Sequence, residues 1–140
     1  MDEHEVIAVK TAATQVLEAI GDDMKWEWDA RFSGALTSFE KSNEPFVLQT
    51  LSHAFTHEWT VANIENAPEA VLIAADFLGG LRSGQRLFTT AFQNDTFCIA
   101  AYWPWGNGAT VSLRILPFNT TIGPTEMDNL TCQFQQWMHL

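Results

Sequence analysis

Two histidines stand four apart in the run His53-Ala54-Phe55-Thr56-His57-Glu58. On a helix that spacing points both imidazoles the same way, as two ligands of one metal ion would need. The run lacks the glutamate directly after the first histidine that the zinc-protease motif requires. A third ligand would have to come from afar, from Asp22, Glu65 or Asp76. His53 and His57 are therefore candidate metal ligands set against a plainer reading as a polar helix face, and no cofactor is expected.

Asp76 sits in an otherwise apolar run, Val71 to Leu78. A carboxylate held among Val71, Ile73 and Phe77 would lose hydration, and such a group can serve as a general acid or base. Asp76 and His57 are the catalytic candidates. Helical spacing also puts Glu69 and Ser83 near the same edge as Asp76, which favours a solvated edge over a reactive group. The run Gly79 to Arg86 carries glycines and two arginines that could hold an anion. It leads from a helix into a strand, however, the reverse of a phosphate loop. Cys98 and Cys132 have no neighbouring histidine in sequence and are expected to be reduced and packed.

The stronger signal is aromatic. Six tryptophans punctuate the chain, and Trp103-Pro104-Trp105 leads into Gly106-Asn107-Gly108. Tryptophan and tyrosine dominate interface energies and line ligand pockets. Trp105 and Tyr102 are the first candidates for partner contact, with Trp103 nearer the core. Trp26 and Trp28, with Phe88 and Trp103, would line an alternative pocket between sheet and helices, with Asp76 or His57 as its polar group.

These residues must be positioned by regular elements. Val6, Val9, Ala13, Val16, Leu17 and Ile20 recur at helical spacing. Asp2 and Glu5 have the spacing of a capping box, and Gly21 is expected to stop the helix in a left-handed conformation. Trp26, Trp28, Ala30 and Phe32 alternate with Glu27, Asp29 and Arg31, which predicts one strand ended by Gly34. Ser42 to Pro45 starts a second helix that includes Val47, Leu48, Leu51, Ala54 and Phe55. A short strand within 58–64 follows. A third helix over 67–78 is apolar on most sides, begins with a capping-box spacing at Asn66 to Glu69, and is expected to be buried on more than one side.

Strands over 86–93, 96–103 and 109–116 have short links, Asn94-Asp95 and Gly106-Asn107-Gly108, and predict an antiparallel meander. In the middle strand both alternating sets are apolar or small: Phe97, Ile99, Ala101 and Trp103 against Cys98, Ala100 and Tyr102. Such a strand is covered on both faces. Its second cover would be a partner, a ligand or the remaining helices. A last helix starts at Thr125, with Asp128 three residues on. The fold class is α+β: a mostly antiparallel sheet with a C-terminal meander, packed by N-terminal, middle and C-terminal helices.

At 140 residues, with 46% apolar content, the expectation is one domain, 1–140, that folds without metal or disulfide. The net charge of −10 falls entirely before Arg82, and the rest of the chain is neutral. Acidic surfaces repel phosphates and anionic lipid headgroups, so nucleic acid and membrane surfaces are not expected as partners. The acidic start lacks the basic-then-apolar pattern of a secretory leader, and the expected location is cytoplasmic. No motif carries a family resemblance. The leading expectation is a small acidic, non-enzymatic binding protein, a homo-oligomer or the binder of a protein partner through its aromatic sheet. The alternative is a small-molecule binder or small enzyme that takes an apolar ligand.

Overall fold

The structure, a computed structural model, describes residues 6–93 and 95–140. The capping box at Asp2 and Glu5 and the Asn94 half of the hairpin turn lie outside the described residues. Helix α1 spans Ile7–Ile20, α2 Glu44–Ala54, α3 Glu69–Phe77 and α4 Pro124–Trp137. The strands are β1 (Glu27–Asp29), β2 (Gly34–Glu40), β3 (His57–Trp59), β4 (Arg86–Thr89), β5 (Thr96–Pro104) and β6 (Thr110–Asn119). They form one antiparallel sheet in the order β1-β2-β6-β5-β4-β3. The α+β class and the meander β4-β5-β6 are as the sequence predicts.

The long central strand explains the two-faced pattern. Its first seven residues are all buried. Cys98, Ala100 and Tyr102 face a core built with α1, α2 and α4. Phe97, Ile99 and Ala101 face a second core built with α3. The chain's own helices cover both faces of this strand. Each fully buried ring, such as Phe88, Phe97 or Phe134, contributes about 1.5–3 kcal/mol over an exposed one.

The first strand departs from expectation. The alternation over 26–32 is cut in two: β1 stops at Asp29, and the chain reverses before β2 begins at Gly34. The Arg31 amide donates to Asp29 Oδ1 at 3.1 Å, and Ser33 takes φ 54°. An acidic side chain that accepts from the backbone two residues on makes a turn of a strand-like pattern. Gly34 opens β2 rather than ending β1, because a Cβ there would stand 2.7 Å from the Ile115 carbonyl oxygen across the sheet. Strand β2, unassigned from the sequence pattern, pairs the full length of Ala35 to Glu40 with β6.

Helix ends differ too. Gly21 is right-handed (φ −63°), not left-handed; a Cβ there would run into the Leu17 carbonyl oxygen. Neither Asn66 nor Thr125 caps a helix by its side chain: α3 is preceded by Pro68 and α4 by Gly123. At the end of α3, Gly79 and Gly80 take φ 97° and 86°, and the Gly80 amide donates to the Ala75 carbonyl at 2.8 Å. The glycine-bearing run therefore ends a helix and turns the chain. In the second hairpin only Gly108 is left-handed (φ 70°), and Asn107 Oδ1 accepts from the Ala109 and Thr110 amides at 2.9 and 3.1 Å.

Candidate functional site

Pairing register divides the aromatic candidates between opposite faces. Trp28 pairs with Ala35, so Trp26 and Trp28 lie under α1 and α4, and the Trp28 and Phe134 rings are 6.4 Å apart. Phe88 and Tyr102 are on that side also, whereas Trp103 packs against the α3 core. Trp26, Trp28, Phe88 and Trp103 thus do not line one pocket between sheet and helices: the sheet itself separates them.

Tyr102 is not presented to solvent. Its ring is buried against Phe39, and its hydroxyl donates to the Glu44 carboxylate at the start of α2. Burial, then that hydrogen bond, raises its pKa well above the ordinary tyrosine value. Trp105 is half exposed (50%) but is not a free-standing grip. Its indole N–H donates to Ser112 Oγ at 2.7 Å, folding the ring back over β6. There it walls an open cavity of about 380 Å³ shared with Lys25, Glu27, Leu36, Thr37, Ser38 and Ser112.

The metal and catalytic candidates do not assemble. Helix α2 ends at Ala54 and Phe55 is extended (φ −118°, ψ 148°), so His53 and His57 do not share a helix face. His57 begins β3, its ring 5.8 Å from that of Trp59. Both histidines are exposed, and so is Asp76, on the solvated edge of α3. Among the described residues no three His, Cys, Asp or Glu side chains gather closely enough to hold a metal ion. Both cysteines are free; Cys98 is buried, and burial raises its pKa well above the ordinary thiol value. Cys132 is exposed, not packed, because it faces away from the α4 stripe of Leu130 and Phe134.

What the sequence reading missed is the outer side of α3. Val71, Ala74, Ala75 and Leu78 bury one face of this helix on the sheet. On its outward side Leu72, Ile73 and Phe77 are 36%, 43% and 48% exposed, beside the exposed Glu69 and Asp76. The patch continues into the sheet through aromatic contacts. Phe77 meets Phe32 edge-on at 5.6 Å and Phe118 at 5.7 Å. Phe118 meets Phe97 at 5.7 Å, and Phe97 stacks on the exposed Phe92 at 4.4 Å. Arg31 and Arg114 sit over the Phe32 ring at 4.9 and 5.1 Å, and Arg114 Nε donates to Asp29 at 2.8 Å. Five rings thus form one connected row, with exposed members at Phe92 and Phe77. Exposed residues such as Ile7 and Phe46 elsewhere are ordinary surface apolars. The row passes through the fully buried Phe97, so its exposed ends, Phe77 beside Leu72 and Ile73 and Phe92 after β4, are the parts open to a partner.

The signal for this surface was present in sequence. A helix apolar all round is either enclosed by neighbours or waiting for one. The run predicts burial on more than one side, and the structure shows one covered side only.

No helix of the described residues is long and apolar enough to cross a membrane. No family model, curated protein or solved structure matches the chain.

Proposed function

We propose that this chain is a single-domain, non-enzymatic binding protein that docks another protein on the α3 side of its sheet. The reading is carried by the exposed apolar side chains of α3, Leu72, Ile73 and Phe77, the last joined to the row of rings from Phe32 to Phe92. Rigid aromatics supply contact area at small entropic cost, and this row is already ordered by its own ring contacts. A second copy of the chain is the other occupant of the same surface. Net charge speaks for a different partner, because two chains of charge −10 repel on approach. Two free thiols agree with a cytoplasmic, reducing setting.

The test is site-directed photo-cross-linking in the source cell. A photoreactive side chain is placed at Ile73, at Trp105 or at Phe46, all exposed. The reading expects a discrete adduct from position 73, identified by mass spectrometry, and none from position 46. Adducts confined to position 105 would move the interface to the hairpin. A self-adduct from position 73 would make the occupant a second copy. No adduct from any of the three would remove the proposed function.

A further inference from the structure

Beside α3 the apolar surface deepens into a socket. His57 and Trp59 from β3, Pro68 and Val71 from the start of α3, and Ala91 and Phe92 after β4 surround an open cavity of about 360 Å³. That is near the small end of ligand pockets, which run from about 300 to 1,000 Å³. Two hydroxyls and the exposed His57 imidazole border it, and both hydroxyls already accept a hydrogen bond within the protein. Thr89 Oγ1 accepts the Trp59 indole N–H at 3.0 Å, and Thr90 Oγ1 accepts the Cys98 amide at 2.9 Å. The socket thus offers an occupant apolar and aromatic walls and few open hydrogen-bonding sites. A polar ligand would regain few of its lost hydration bonds there, whereas an apolar side chain has none to lose.

The surroundings carry the opposite character. Glu65 and Glu69 flank Pro68 in sequence and are exposed, with no cation paired to them among the described residues. Asp76 is exposed further along α3, and Asp95 follows Phe92 round the hairpin turn. Glu58 pairs with Arg86 at 3.5 Å; Arg82 follows α3, and Arg31 and Arg114 lie at the other, Phe32 end of the ring row. An apolar socket in an acidic surround selects an apolar side chain flanked by lysine or arginine. Resting on the α3 face as a protein-binding surface, we infer that its occupant is a basic peptide segment that seats one large apolar side chain in the socket between α3 and Phe92.

Two synthetic amphipathic peptides test this. One combines phenylalanine and leucine with lysine; the other has glutamate at every lysine position. Each is titrated into isotopically labelled protein and followed by amide and indole NMR shifts. The lysine peptide should shift Trp59, Val71, Ala91 and Phe92, and its binding should weaken several-fold near 1 M salt, where the screening length is about 3 Å. The glutamate peptide should bind at least about tenfold more weakly, a difference of about 1.4 kcal/mol. Ala91→Trp, which fills the socket from an exposed position, should reduce lysine-peptide binding about tenfold or more. Ala91→Leu serves the same purpose should the tryptophan variant lose its native spectrum.

Equal binding of both peptides, shifts that miss the socket, or binding unchanged in the filled variants would overturn the inference. These failures are separable from failure of the docking surface itself. An adduct from position 73 with a partner that is not basic leaves the surface standing and removes the basic occupant.

Discussion

The two faces of this sheet are built to different completeness. On one, α1, α2 and α4 close over Ala35, Phe39, Phe88, Ala100, Val111, Leu113 and Ile115, and the polar Tyr102 hydroxyl finds a carboxylate. On the other, α3 crosses the sheet, and its outer side mixes the exposed Leu72, Ile73 and Phe77 with the exposed Glu69 and Asp76. The covered area of the first face needs no further partner. The second face is a core too, closed over the sheet by α3. The exposed Leu72, Ile73 and Phe77 are not part of that core, which is why we propose a docking role for them.

The contrast can be broken by experiment. Its largest expression is chemical access. In native protein a thiol reagent should modify Cys132 at once and Cys98 only through unfolding, slower by a factor of about 10³ or more, given the unfolded fractions of typical domains. Comparable rates would mean the three-helix face opens readily. Next, Leu113→Ala on the closed face should cost about 2–5 kcal/mol in urea unfolding. Asp29→Ala, which unpairs Arg114 over the Phe32 ring, should cost about 1–2 kcal/mol. Trp59→Phe keeps the socket wall and deletes the indole bond to Thr89, at about 1 kcal/mol. Ile73→Ser, on the uncovered side of α3, should change stability by no more than about 0.5 kcal/mol. A loss of several kcal/mol at Ile73 would mean the residue serves the fold, and the comparison would fail.

Much of this architecture is legible in the chain. Helical periodicity locates α1, α2 and α4, and the twofold alternation of β5 forecasts its cover on both faces. The reversal at Asp29 to Gly34 is not legible by period, because Trp26 to Phe32 keeps its alternation across a turn made by one side-chain bond. Strand β2 is hidden for a related reason: Thr37 points inward, its hydroxyl satisfied by the Lys25 carbonyl at 2.8 Å. The site is legible only in part. Sequence places aromatics on strands, but which sheet face each one joins depends on pairing register, and register set Trp26 and Trp28 apart from Trp103. The row from Phe32 to Phe92 joins residues sixty positions apart, a distance no local pattern spans.

The central claim concerns one surface, and the affinity of the cross-linked partner tests it most directly. Titration calorimetry should compare wild type with Ile73→Asp and Phe46→Asp, two exposed positions on different sides of the molecule. Docking on α3 predicts at least about a tenfold loss for Ile73→Asp and no change for Phe46→Asp. Full affinity in Ile73→Asp, or a loss confined to Phe46→Asp, would contradict it.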